Sequence, residues 1–472
     1  MSASGRNVAD RVLVFIRNAI VVGLFTLLLM ELALRAIGFS RVELYEPDPL
    51  IGWSGRPGAE GTYSDEGGAE VRISAAGVRD RERGVVKPRD VWRVAVLGDS
   101  YTEALQVAED KRFTSVMEGL LAVCDAGGGR RIEVLNFGVS GFGTAQEYLL
   151  LKHRVLQYAP DVVVLAFLPG NDITDNVRAL DPSHASRPYV TLNDGGQIVW
   201  DRSFENTRSF RIRSSALFRA VLSLSDFSRG IQAGFFVRDI WRRMRSVEEE
   251  PEEKDEKMEK TVEQGLSDGV FSEPRGSEWL QAWKVAERLI EEISNLTAQS
   301  KARFLLVTLS SGIQVPPDAK HSAETARRRG LANLFYADDR SHAFAVQKRI
   351  EVLSLARPLA EYAQRKKVFL HGFPRTTRRL AMNMNVLGSG HWNEEGHQAA
   401  GELIAGYLCL RPAQSPGNDV RERFPSARAR KATFEVSLLA GYLGARPQAA
   451  GPNGADRSGS GREVMLRQGV HR

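Results

Sequence analysis

Two runs, VVVLAF at residues 162–167 and RFLLVTLSS at Arg303 to Ser311, lack any alternation of polar and apolar residues. A strand with one wet face alternates at period two, so strands like these belong to a sheet that helices cover on both sides. Similar runs recur between amphipathic stretches: WRVAVLGD, RFTSVMEGLLAV, RIEVLNFG, TAQEYLLLKHRVLQYA, then DVVVLAFLPGND. Short apolar strands alternating with helical segments make a parallel sheet joined by crossovers. A further helix is expected over SEWLQAWKVAERLIEEISNLTAQSK, a strand-like piece at Arg349 to Ala356, and a closing helix from about Glu394 to Leu410. The class is therefore α/β, a three-layer sandwich around a parallel sheet of about five strands.

The remaining chain divides by composition. From Glu43 to about Arg89 it is rich in Gly, Pro and Asp, and residues 41–90 read as a loop-rich lead-in with short strands. The rhythm is lost again at about 175–277, an insertion whose charge run, Glu248 to Lys260, reads as a solvated linker. Of the 472 residues, 43% are hydrophobic and 26% charged, enough for one main domain of residues 91–410 with appendages. The net charge of +6 is confined to the tail, because residues 411–472 hold eleven Lys or Arg against five Asp or Glu. That basic tail is expected to be disordered, apart from a short helix at TFEVSLLAGYL. A neutral body without a nucleic-acid module argues against DNA or RNA as partner.

The N-terminus supplies a compartment. Val12 to Ile37 contains NAIVVGLFTLLLM and reaches the length of a membrane span by tolerating Arg17, Glu31 and Arg35 near its edges. Arg6, Arg11 and Arg17 come before the apolar centre, so residues 1–40 read as a cytoplasmic start and a retained signal anchor, with the rest extracytoplasmic. Cys124 and Cys409, the only cysteines, are expected as buried thiols rather than a disulfide.

The chemistry starts where the first apolar run breaks, at Gly98-Asp99-Ser100. Ser100-Tyr101-Thr102-Glu103 fits a capping box, in which the hydroxyl does nothing but satisfy a helix N–H. A serine at the carboxyl edge of a parallel sheet, with a helix behind it, also suits attack on an ester carbonyl. This motif alone leaves both readings open. The second strand ends in LNFGVSGFGTAQE, where Gly141 and its neighbours can present an N–H. The third ends in LPGNDITDN, which puts the Asn171 amide at the same edge, and GSGHWNEEGH sets His391 in a loop just before the last helix. His397 sits inside that helix and reads as structural, as Asp99 and Asp172 read as braces of their turns. His391, His397 and the Glu394–Glu395 pair match no trusted metal spacing. The chain has neither a G-x-S-x-G elbow nor a phosphate-binding Gly-Lys-Ser/Thr loop.

Serine, glycine, asparagine and histidine blocks in this order resemble the SGNH/GDSL hydrolase family, especially its membrane-anchored bacterial members, over about residues 90–410. The resemblance implies an SGNH hydrolase-like, flavodoxin-like sheet of five parallel strands and an ester hydrolase needing no cofactor. It implies Ser100 as nucleophile, His391 as base, and an oxyanion hole of Ser100, Gly141 and Asn171. A cell-surface carbohydrate ester is the substrate it suggests. An O-acyltransferase acting on an extracytoplasmic polysaccharide is one alternative, and a glycan- or partner-binding pseudoenzyme the other. The sequence departs from the family in one respect: an aspartate usually precedes the histidine by two or three residues, where this chain has Gly388 and Ser389. No Asp or Glu lies between Glu361 and Glu394. A backbone carbonyl or a distant acid must then orient His391, or the pair acts as a dyad, or activity is weak.

Overall fold

The computed structural model describes residues 3–181, 186–248, 268–374 and 387–410. The charge run and the basic tail, with its expected short helix, fall outside them except for Glu248. Five parallel strands form the central sheet: β5 (Val91–Gly98), β6 (Arg131–Gly138), β7 (Val162–Phe167), β10 (Arg303–Thr308) and β11 (Val352–Ser354). Before them come two antiparallel hairpins, β1 (Tyr45–Asp48) with β2 (Gly52–Gly55), and β3 (Glu60–Thr62) with β4 (Glu70–Arg72). A third hairpin, β8 (Tyr189–Leu192) with β9 (Ile198–Asp201), lies in the insertion.

In space the sheet runs β6-β5-β7-β10-β11. The chain therefore reverses direction across the sheet between β5 and β7, and in such sheets the crevice outside the carboxyl ends at this reversal is where ligands bind. Its strands are the apolar runs expected, and they are buried on both faces. Thirteen helices are described: α1 (Ala3–Ala36), α2 (Ser100–Glu103), α3 (Phe113–Val123), α4 (Thr144–His153), α5 (Pro169–Asp172), α6 (Arg208–Arg213), α7 (Ala216–Ser225), α8 (Arg229–Glu248), α9 (Gly276–Gln299), α10 (Ala319–Arg328), α11 (Tyr336–Gln347), α12 (Ala356–Lys366) and α13 (Glu394–Leu410).

Alternation along each strand sorts the core into two layers. Ala95, Leu97, Val163, Leu165 and Leu306 pack with α4, α9 and α11. Val94, Val96, Val164, Leu305 and Val307 pack with α3, α12 and α13. The α/β/α sandwich expected from the sequence is present.

The cysteine expectation is corrected. Cys124, just past α3, and Cys409, near the end of α13, form a disulfide with Cα atoms 6.0 Å apart. The helices pack side by side on one face, which a separation of 285 residues conceals in the sequence. Within α1, Arg11–Ala36 is long and apolar enough to cross a membrane, and its Leu24, Phe25, Leu27 and Leu28 face outward.

Candidate active site

β5 delivers Ser100 to the reversal point through a turn that only glycines allow. A Cβ on Gly138, at the end of the neighbouring β6, would come within 2.3 Å of the Glu103 backbone nitrogen, so the turn rests directly on β6. The cap of α2 is Asp99, not Ser100: the Asp99 carboxylate accepts the Tyr101 N–H at 2.9 Å. Glu103 does not close a capping box either. Its buried carboxylate accepts from the Ser140 N–H at 2.7 Å and from the Tyr45 hydroxyl at 2.5 Å. The capping reading of Ser100 therefore fails, and the hydroxyl is left for another partner.

That partner is His391. Its Nε2 lies 2.8 Å from Ser100 Oγ, although 291 residues separate the two. On the other side of the ring, Nδ1 is 2.5 Å from Glu66 Oε2, and the His391 N–H donates to Glu66 Oε1 at 3.0 Å. The Tyr101 ring leans on the imidazole with centroids 5.1 Å apart. Glu66 lies in the turn between β3 and β4, so the carboxylate missing from the histidine loop comes from the lead-in. Arg41 braces this turn with a two-pronged pair to Asp65 at 2.8 and 3.0 Å.

Gly390 explains how the acid gets in. A Cβ there would sit 2.5 Å from Glu66 Oε1, and its φ of +80° is in the left-handed region. The Gly-Ser-Gly before His391 is therefore the space and the turn that admit Glu66. The Gly390 carbonyl in turn accepts from the Tyr101 hydroxyl at 3.0 Å and from His371 Nδ1 at 2.8 Å.

His371, to which no sequence motif points, is fully buried, and burial lowers its pKa to about 4. Because 4 lies below the ordinary 6.5, unfolding takes up a proton between these values. This histidine's contribution is complete above about pH 6.5 and is lost as the pH falls toward 4, by about 3 kcal/mol in all. Urea unfolding in detergent is expected to show wild-type stability falling more steeply from pH 7 to 5 than that of His371→Gln. Parallel curves would contradict this.

The expected oxyanion donors follow adjacent strands β5, β6 and β7. The N–H of Ser100 opens α2, where no helical acceptor exists, and among the described residues neither it nor the Gly141 N–H has a hydrogen-bond partner. Gly141 takes φ +76°, a conformation other residues rarely adopt. The Asn171 amide donates to Asp99 Oδ2 at 2.8 Å, which leaves its second N–H for a ligand. Asp99 and Asp172 do brace their turns: Asp172 accepts the Leu168 N–H at 2.6 Å, and burial pushes both carboxyls up. Glu147, buried beside them and with neither oxygen hydrogen-bonded among the described residues, is pushed well above the usual range by the same burial.

His397 is structural, as expected. It is buried and stacked on Phe113, its Nδ1 accepts the Phe113 N–H at 3.4 Å, and burial holds it neutral. No group of three His, Cys, Asp or Glu side chains suited to a metal ion occurs among the described residues. A cleft of about 540 Å³ borders the Glu66 turn, lined among others by Gly67, Gln106, Phe369, Phe373 and Asn393.

The site thus unites a serine, an imidazole and a carboxylate at the reversal point of a flavodoxin-like sheet. No family model and no curated protein matches the sequence. Among solved structures, the chain is similar to an acetyl xylan esterase at 13% identity, with 66% of this chain and 96% of that one covered and a TM-score of 0.32. It is also similar to a member of the lipolytic protein G-D-S-L family from Veillonella parvula, at 10% identity, 68% and 96% coverage and a TM-score of 0.29.

Proposed function

We propose that this protein is a membrane-anchored serine ester hydrolase that cleaves an acyl ester through Ser100, His391 and Glu66. The observation that carries this reading is the unbroken relay from Ser100 Oγ to His391 Nε2 at 2.8 Å and from Nδ1 to Glu66 at 2.5 Å. Ser100 Oγ attacks the acyl carbon while Nε2 takes its proton. Glu66 holds Nδ1–H, which fixes the tautomer, and stabilises the imidazolium that forms. The N–H groups of Ser100 and Gly141 and the Asn171 amide receive the oxyanion. As the intermediate collapses, His391 protonates the departing alcohol oxygen, and water then releases the acid by the reverse sequence. The carboxylate beside Nδ1 supports this reading over a pseudoenzyme, which the lack of an aspartate before His391 favoured.

The anchor is α1, with the sheet on the extracytoplasmic side. Arg6, Arg11 and Arg17 before the apolar core support this orientation. So does the Cys124–Cys409 disulfide, a bond that persists in oxidising compartments.

The test is a fluorophosphonate probe on the full chain in detergent, together with turnover of p-nitrophenyl acetate and of an acetylated polysaccharide, the substrate class the motif resemblance favours. Labelling is expected on Ser100 alone. Labelling that persists in Ser100→Ala, or wild-type protein inert to both probe and esters, overturns the reading.

A further inference from the structure

We infer that α6 and α7 of the insertion form a platform that lies on the bilayer beside α1, with apolar side chains among the acyl chains and arginines at the headgroups. The inference rests on α1 being a membrane span, and is independent of the serine chemistry. α7 exposes a stripe, with Leu217 76% and Leu224 56% accessible, and Phe227 just beyond it is 77% accessible. Positions 217, 220 and 224 fall on one helical face, opposite the buried Leu222 and Ser225. Apolar side chains scattered singly on a surface are ordinary, but their grouping on one side of a short helix and its exit suits an interfacial helix.

Its place in the fold identifies what covers it. Phe227 sits at the end of the span, where its carbonyl accepts from Arg35 Nη2 at 2.6 Å. Glu31, one turn earlier in α1, accepts from the N–H groups of Arg229 and Gly230 at 3.1 and 2.9 Å, so the start of α8 is fastened at the same level. The chain leaving α1 is held there too: the Arg41 N–H donates to Gln232 Oε1 at 2.9 Å, and Arg229 donates to Ser40 at 2.8 Å. An apolar surface fixed level with the last turns of a membrane span meets the same bilayer.

The charge agrees. Arg208, Arg211 and Arg219 are exposed on α6 and α7 and have no carboxylate partner among the described residues. Exposed arginines beside apolar side chains suit lipid phosphates.

The test uses the full chain in vesicles of phosphatidylethanolamine and phosphatidylglycerol that contain a lipid with a photoactivatable diazirine on its acyl chain. After irradiation, lipid adducts are mapped by mass spectrometry. Adducts are expected on α1 and on peptides covering Leu217 to Phe227. In Leu224→Glu/Phe227→Glu those on α7 should fall while those on α1 persist. Adducts on α1 alone overturn the platform. Adducts on neither element remove the span itself, and with it the platform.

Discussion

Ser100→Ala is expected to lower kcat for an acyl ester by on the order of a millionfold, to the residual rate that binding and oxyanion donors sustain. His391→Ala should match it, and the double variant should be little worse, because nucleophile and base act as one unit. Ser100 makes no capping bond, so the substitution costs the fold little and the thermal transition should be nearly unchanged. The decisive measurement is kcat with equal folded enzyme by circular dichroism. A Ser100→Ala protein that keeps even a tenth of wild-type turnover places the nucleophile elsewhere.

Glu66→Gln is the second large effect, with an expected loss of roughly two to four orders of magnitude in kcat. A glutamine amide can donate to Nδ1 and so hold the imidazole in the tautomer whose Nε2 carries the proton, which cannot receive one from Ser100. Gly390→Ala should lose activity in the same direction, since its methyl would come within 2.5 Å of Glu66 Oε1 and push the carboxylate away. KM should move far less than kcat in both variants, and the rate of fluorophosphonate labelling should fall with kcat. If Glu66→Gln stays within about threefold of wild type, the chain works as a dyad and the carboxylate is ornamental.

These two predictions differ in how far the sequence points to them. The strands, their burial on both faces and the final helix follow from apolar periodicity, which is a local property. Ser100, Gly141, Asn171 and His391 are readable because each stands at a strand end or helix start and their order is distinctive. Glu66 is not readable. It is one acid in the Gly-rich SDEGG turn, 325 residues from His391, and only the packing of the β3–β4 turn against Gly390 brings them together. The disulfide is hidden for the same reason, since it depends on α3 and α13 becoming neighbours. For Ser100-x-x-Glu103, local pattern points the wrong way: Asp99 takes the cap, and Glu103 turns to Ser140 and Tyr45.

The turn that carries Glu66 precedes the first strand of the sheet, and this bears on any attempt to shorten the molecule. A fragment trimmed to start at Val91 would retain Ser100 and His391, yet arrive without Glu66, the proposed acid. If Glu66 serves as proposed, the smallest active fragment begins near Arg41, whose side chain steadies that turn. A protease nick between residues 67 and 90 would cut the direct backbone link from Glu66 to the sheet, leaving it held by the Arg41–Asp65 pair and its bonds to His391, which makes this stretch the natural point at which to disconnect the proposed acid.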